Sequence, residues 1–221
     1  MQKKSDRLTE FLNTYASSAF EAFMTAEAGP TRSDCSACSA KCAGDHSDDL
    51  YRCRRCLHTP QYCKTCLMSS HKHELHHGME RWDKGRKIWI STNLEELEAV
   101  IYLGHGGERC PSIIPRMRDM TIMHEGGVHR FSVRFCSCHS PKKDHEQLLE
   151  ACLWPASWGL LQTAFLFGVM KQFQLLSVKC TISAHDFFAY LASTTDSEFP
   201  ADVTVCFHLY FRAHPLRGLH Y

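Results

Sequence analysis

CRRCLHTPQYCKTCLMSSHKHELHH, residues 53–77, decides how this chain is organised. Its cysteines stand as two Cys-x2-Cys pairs, Cys53/Cys56 and Cys63/Cys66, and His71 and His77 follow. A Cys-x2-Cys pair sits in a tight turn that aims both sulfurs at one ion. Four such ligands close a tetrahedral site with no open position, which is structural rather than catalytic. Upstream lie Cys35-x2-Cys38-x3-Cys42 and His46. Four ligand pairs imply two ions. In a cross-braced arrangement Cys35, Cys38, Cys63 and Cys66 hold the first, and Cys53, Cys56, His71 and His77 hold the second. Cys42 and His46 compete with Cys35 and Cys38 for the first pair.

Composition supports metal over disulfides. The 221 residues include 13 Cys and 15 His, with seven of the cysteines and six of the histidines falling between residues 35 and 77. Disulfide scaffolds have no need of histidine, whereas zinc takes thiolate and imidazole alike. The cysteine total is odd and no signal peptide precedes the first helix, so a reducing, intracellular setting is expected. Net charge is +1, which argues against a globally basic nucleic-acid binder. A local excess remains: residues 35–90 carry 10 Lys+Arg against 6 Asp+Glu. Residues 151–170 hold no charge, yet Pro155, Gly159 and Gln162 make a buried helix the expectation rather than a membrane span.

Two enzymatic patterns are weak. His73-Glu74-x-x-His77 is a literal H-E-x-x-H, which on a helix would supply two zinc ligands and a general base. It overlaps a ligand pair that the cysteines already require, and no amphipathic helix carries it. A deaminase signature needs Pro adjacent to Cys-x2-Cys, and Pro60 is separated from Cys63.

A second cluster lies downstream. Leu103-Gly104-His105-Gly106-Gly107 leads to Cys110, and Cys136-x-Cys138 follows a strand pattern. Alternate positions of a strand share a face, so Cys136 and Cys138 point the same way. With Cys110 and His105 they would complete a third site, and His129 or His139 could substitute for His105. The alternative is a hairpin with incidental thiols. Cys152, Cys180 and Cys206 read as core cysteines.

Hydrophobic spacing outlines the remaining elements. Leu8, Leu12, Tyr15, Ala19 and Phe23 place a helix over residues 5–28. A turn and short strand occupy 82–91. Thr92-x-x-Glu95 forms a capping box for a helix through Leu103. Alternation through Phe131, Val133 and Phe135, with Gly126-Gly127 as the turn, predicts a hairpin over 120–136. Three helices follow: one from Ser140-Pro141 to Leu153, one carrying Leu161, Phe165, Val169, Phe173 and Leu176, and one capped by Ser183 with Asp186. Residues 203–211 read as a strand. The fold class is a small α+β protein organised by zinc.

The stretch from Leu50-Tyr51-Arg52-Cys53 to His77 resembles the zinc-binding B-box in its ligand order. That resemblance implies a protein-binding module. A larger series resembles the CxC-like cysteine cluster, second type, associated with fungal KDZ (Kyakuja–Dileera–Zisupton) transposases. It comprises Tyr51-Arg52-Cys53-x2-Cys56, Cys63-x2-Cys66-x4-His71-x5-His77 and Trp82. Leu103-Gly104-His105, Cys110-Pro111, Gly127-Val128-His129 and Phe135-Cys136-x-Cys138 continue it. Gln147-Leu148-Leu149, Trp154-Pro155-Ala156, Gln162-Thr163-Ala164-Phe165 and Ser183-Ala184-His185-Asp186-Phe187 complete it. The series spans roughly residues 35–197, and in it His77 rather than His76 is the last histidine.

The resemblance implies a zinc-chelating domain upstream of a transposase core that this chain does not carry, in a truncated or stand-alone copy. Four regions are expected: an N-terminal helix (1–30), a cross-braced two-zinc module (35–82), a hairpin-and-helix region (83–197) and an unmatched tail (198–221). The expected activity is non-catalytic association with DNA or a chromatin protein in the nucleus, with Arg52, Arg54, Arg55 and Lys64 on phosphates. A protein–protein module is the alternative. A metalloprotease using His73, Glu74 and His77 is the remote one.

Overall fold

The computed structural model describes residues 2–30, 35–38, 49–74, 77–92, 96–112, 114, 116–138, 141–196 and 199–203. They form an α+β protein in two compact units, Met1–Ser69 with Met79–Thr92, and Ser70–Gly78 with Asn93–Tyr221.

In the first unit the expected N-terminal helix forms as one run. It consists of α1 (Gln2–Glu10), a π turn (Phe11–Tyr15) and α2 (Ala16–Glu27). Next come β1 (Tyr51–Cys53), β2 (Gln61–Tyr62), α3 (Lys64–Ser70), β3 (Met79–Asp83) and β4 (Ile88–Ser91). The strands pair antiparallel in the order β2-β1-β3-β4. Asp83 shapes the β3–β4 turn by accepting the backbone N–H of Gly85 at 2.8 Å and of Arg86 at 3.0 Å.

Arg52 lies at the centre of this unit, 4% exposed. Its guanidinium donates to Glu80 at 2.7 Å, to Glu27 at 2.7 Å and to the Ala26 carbonyl at 3.2 Å, and stacks 4.5 Å over the Trp89 ring. A buried charge survives only when paired and hydrogen-bonded in this way. The Trp89 indole also donates to the Ala28 carbonyl at 3.1 Å, so the end of α2 is fixed to the sheet. Gly29 permits the approach: a Cβ there would stand 2.5 Å from the Trp82 ring.

The second unit holds β5 (Val100–Tyr102), β6 (Arg116–His124), β7 (Gly127–Phe135), α4 (Asp144–Glu150), β8 (Leu153–Pro155), β9 (Thr163–Leu166), α5 (Phe167–Cys180) and α6 (Ala184–Thr195). Its mixed sheet has the order β5-β7-β6-β9-β8. The β6–β7 hairpin pairs nine residues, from Arg116↔Phe135 to His124↔Gly127. β5 runs parallel to β7, and β9 parallel to β6. Met123, Val128 and Phe165 from the sheet pack with Val169 and Phe173 of α5 and with Phe187 and Leu191 of α6. Ser183 caps α6 by accepting the Asp186 backbone N–H at 3.1 Å.

Three expectations are corrected. The helix through Leu103 is replaced by β5, which gains its pairing from the distant β7; Glu95 lies outside the described residues. The helix expected to reach Leu153 ends at Glu150, since Cys152 takes φ 59° and the chain re-enters the sheet as β8. Leu161 and Phe165 lie outside the next helix, because residues 163–166 form β9 and α5 starts at Phe167. Short apolar runs fit a strand or a helix equally well, and sheet partners far along the chain decide between them. Of the strand expected at 203–211, only Val203 is among the described residues. Among the described residues no helix is long and apolar enough to cross a membrane.

Candidate metal centres

Three sets of Cys and His side chains converge among the described residues, each with its ligand atoms within 4.8 Å of one another. The first is Cys35, Cys38, Cys63 and Cys66. Local structure follows from the turns that carry the pairs. The Ala37 N–H points at Cys35 Sγ, 3.4 Å away, and the Cys66 N–H at Cys63 Sγ, also 3.4 Å. The Ser36 N–H donates to the Gln61 carbonyl at 2.7 Å, which ties the first turn to β2. Burial opposes ionisation of Cys35. Backbone N–H groups of Cys63, Ala37 and Cys38 nevertheless hold its pKa down to about 7. Cys66 is pushed up to about 12, by burial first and then by hydrogen bonds with Cys63 and Cys35. One cluster thus contains a ready thiolate and a reluctant one, and a cation would replace the protons.

The second set is Cys53, Cys56, His71 and His77. Cys53 and His71 are buried. His71 Nδ1 lies 3.0 Å from the Ser70 hydroxyl, and His77 Nδ1 lies 3.6 Å from a Glu74 carboxylate oxygen. Partners on one ring nitrogen fix the ring and leave the other nitrogen for a metal. The ligands of the first and second sets alternate along the chain, pair by pair.

The third set is His105, Cys110, Cys136 and Cys138. His105 Nε2 stands 3.2 Å from Cys136 Sγ and 3.3 Å from Cys138 Sγ. Cys110 Sγ stands 3.8 Å from Cys136 Sγ and 3.5 Å from Cys138 Sγ. Tetrahedral zinc with Zn–S of ~2.3 Å and Zn–N of ~2.0 Å requires edges of roughly 3.5–3.8 Å, which these four distances approach to within tenths of an ångström. The framework is built for this. Gly104, at φ 77°, lets the loop pass Cys136, whose Cβ would be 3.0 Å from a Cβ at that position. Buried Gln147 of α4 accepts the Cys136 N–H at 2.8 Å and donates to the carbonyls of Cys136 at 3.3 Å and Lys142 at 2.9 Å. Hydrogen bonds from the Ser137 and Ser112 backbones draw the Cys110 thiol down to about 6. Shared hydrogen bonds with Cys110 and Cys136 push Cys138 up to about 11.

Other expected residues are placed differently. Of the alternatives for these sets, Cys42, His46 and His139 lie outside the described residues. His129 stacks on His124 at 4.9 Å instead of joining the third set. Arg52 is withdrawn from the phosphate-contact residues, since its guanidinium is buried against two carboxylates. Arg54 and Arg55 are exposed and Lys64 is half-buried. Cys152 and Cys180 are exposed rather than in the core; Cys206 lies outside the described residues. The H-E-x-x-H reading loses its helix: residues 71–73 form a turn, closed by the Glu74 N–H on the His71 carbonyl at 2.9 Å. Its two histidines also part company. His77 belongs to the second set, whereas His73 lines a cavity of about 460 Å³ that also touches Ile101, Ile122, Phe131 and Leu166.

Residues 94–198 match the family model described as a CxC2 like cysteine cluster associated with KDZ transposases. That span contains the whole third set and the second unit's hairpin and helices. The segment ahead of residue 94, with the first two sets, lies outside the match. No curated protein and no solved structure matches the chain.

Proposed function

We propose that this protein is a zinc-organised, non-catalytic accessory module that associates with DNA in the nucleus. The observation that carries the metal part is the convergence of three Cys/His sets, of which the second and third each offer four ligands, none of them in a disulfide, able to fill a tetrahedral ion; Cys38 of the first set is disulfide-bonded and joins it as a ligand only when reduced. Such closed sites leave no position for substrate or water, which suits a structural role. The match to a transposase-associated cysteine cluster supports the nucleic-acid part. So does the positive excess of residues 35–90, where Arg54 and Arg55 are exposed. Arg54, Arg55 and Lys64 are the phosphate contacts in this reading. The sites would hold zinc through thiolates and imidazoles, and the ion would supply folding energy rather than chemistry.

The test is retention of a labelled duplex by the zinc-loaded chain across a salt series. Arg54→Ala and Arg55→Ala should each lower the salt slope by about 1 without changing sequence preference. Absence of retention at low salt would overturn the DNA reading. The alternating ligand pairs favour the second reading, a B-box-like protein-interaction module, which requires no duplex binding.

A further inference from the structure

The five-stranded sheet has two faces, and helices cover one of them. Met123, Val128 and Phe165 pack there with α5 and α6. Side chains at alternate positions of a strand share a face. The registers Ile122↔His129 and Ile101↔Val133 therefore place Ile101, Ile122, His124 and Phe131 together on the other face. These four, with Leu153 of β8 and Leu166 of β9, line the cavity of about 460 Å³ that His73 also touches. Every lining residue belongs to the second unit. Ile122, His124 and Phe131 are 2–3% exposed, so the floor is shut off from bulk water. A cavity of this size, with a chiefly apolar floor and a few polar groups, is the kind that small organic ligands occupy.

The chemistry of the lining narrows the ligand. Lys72 and Glu150 are its charged side chains, and each is paired with a residue outside it. Lys72 Nζ donates to Glu108 at 2.5 Å, and Glu150 accepts from Lys142. An ionic ligand would have to break one of these pairs or bury a charge without a partner. His124 Nδ1 accepts the Gly126 backbone N–H at 3.0 Å. A charged imidazole has no acceptor nitrogen, so this bond requires the neutral ring with its proton on Nε2. The cavity is thus offered an N–H donor rather than a cation. Three rings border the space, those of His73, His124 and Phe131. His124 and Phe131 stand edge to face with centroids 6.3 Å apart, and rings so placed favour a further aromatic neighbour. We propose that the cavity binds a small, uncharged aromatic molecule whose carbonyl oxygen accepts the His124 Nε2–H.

The probe is prodan, an uncharged naphthyl ketone whose emission moves to the blue in apolar surroundings. Titrated into the zinc-loaded full chain, it should saturate at one site per chain. Cys152 is exposed and lines the cavity, whereas Cys180 is exposed and lies outside the lining. Peptide mapping after alkylation should show the bound probe slowing reaction at Cys152 and leaving Cys180 unchanged. Ala151→Trp, at an exposed position of the lining, should fill the space and abolish saturation. His124→Phe keeps a ring and removes the donor. It should weaken prodan about fivefold and leave dimethylaminonaphthalene, which lacks the carbonyl, unchanged. Absence of saturable binding, or binding that leaves Cys152 as reactive as before, overturns the proposal. Equal weakening of both compounds by His124→Phe overturns the hydrogen-bond assignment. Tighter binding of the anion anilinonaphthalene sulfonate at the same site overturns the uncharged class.

Discussion

The four-stranded sheet has strands of two to five residues, whereas the hairpin of the five-stranded sheet has strands of nine. Around the short strands, buried apolar side chains are few, chiefly Leu50, Tyr51, Leu67 and Met79. Two of the Cys/His sets draw ligands from this segment. The long hairpin packs instead into a continuous core of ten buried residues with α5 and α6, and one Cys/His set lies outside that core. Where apolar burial is sparse, Cys/His sets that could hold an ion are dense. A four-ligand site fixes several chain segments at one point without needing hydrophobic area, so short segments with poor periodicity still adopt one structure.

Chelation should separate the two regions most sharply. Structural zinc contributes on the order of 10 kcal/mol per site. Amide exchange after chelator treatment should therefore show β1, β2 and α3 unprotected, while α5 and α6 retain protection. Simultaneous loss in both regions would mean that the ten-residue core does not stand without metal. Phe187→Ala attacks the other side of the comparison. It empties a site 2% exposed beside Phe173, and should cost about 3–5 kcal/mol in denaturant unfolding of the zinc-loaded chain. Native mass spectrometry should find its metal content unchanged.

Arg52→Ala tests whether the first unit depends on metal alone. It removes the 2.7 Å partner of buried Glu80 and leaves it only the exposed Arg54 at 3.4 Å, and a loss of about 3 kcal/mol is expected. Arg52→Met, which restores apolar contact with Trp89 but no charge, should recover nothing unless Glu80→Gln accompanies it. A neutral Arg52→Ala would assign this unit's stability to the ions only. The smallest effect belongs to the cap of α6. Ser183→Ala removes the acceptor for the Asp186 N–H and should lower stability by about 1 kcal/mol, read from the shift in denaturant midpoint.

Local chemistry made several elements legible. The β6–β7 hairpin follows from strict alternation and the glycines at its turn, and α6 from its serine cap and apolar spacing. Both signals lie within a few residues of where they act. β5 and β9 were not legible, because their residues are held by parallel pairing with strands about 30–40 positions away, and no local spacing encodes such a partner. The sites divide in the same way. Ligand pairs can be read from spacing, since a tight turn brings two sulfurs together. The burial of Arg52 could not be read, because it depends on Glu27, Glu80 and Trp89 arriving from three other segments.

The sequence by itself determined the Cys/His pairs with metal-ligand spacing, where the long hairpin turns, and where the last described α-helix starts. Each of these rests on residues close enough in the chain to interact before any fold exists. Only the tertiary structure decided which apolar runs became strands, which arginine was withdrawn from solvent, and which histidine joined the third set. Those outcomes depend on burial and on partners distant in sequence. Pairing in a sheet, neutralisation of a buried guanidinium and closure of a tetrahedron all draw on groups that the folded chain alone brings within reach.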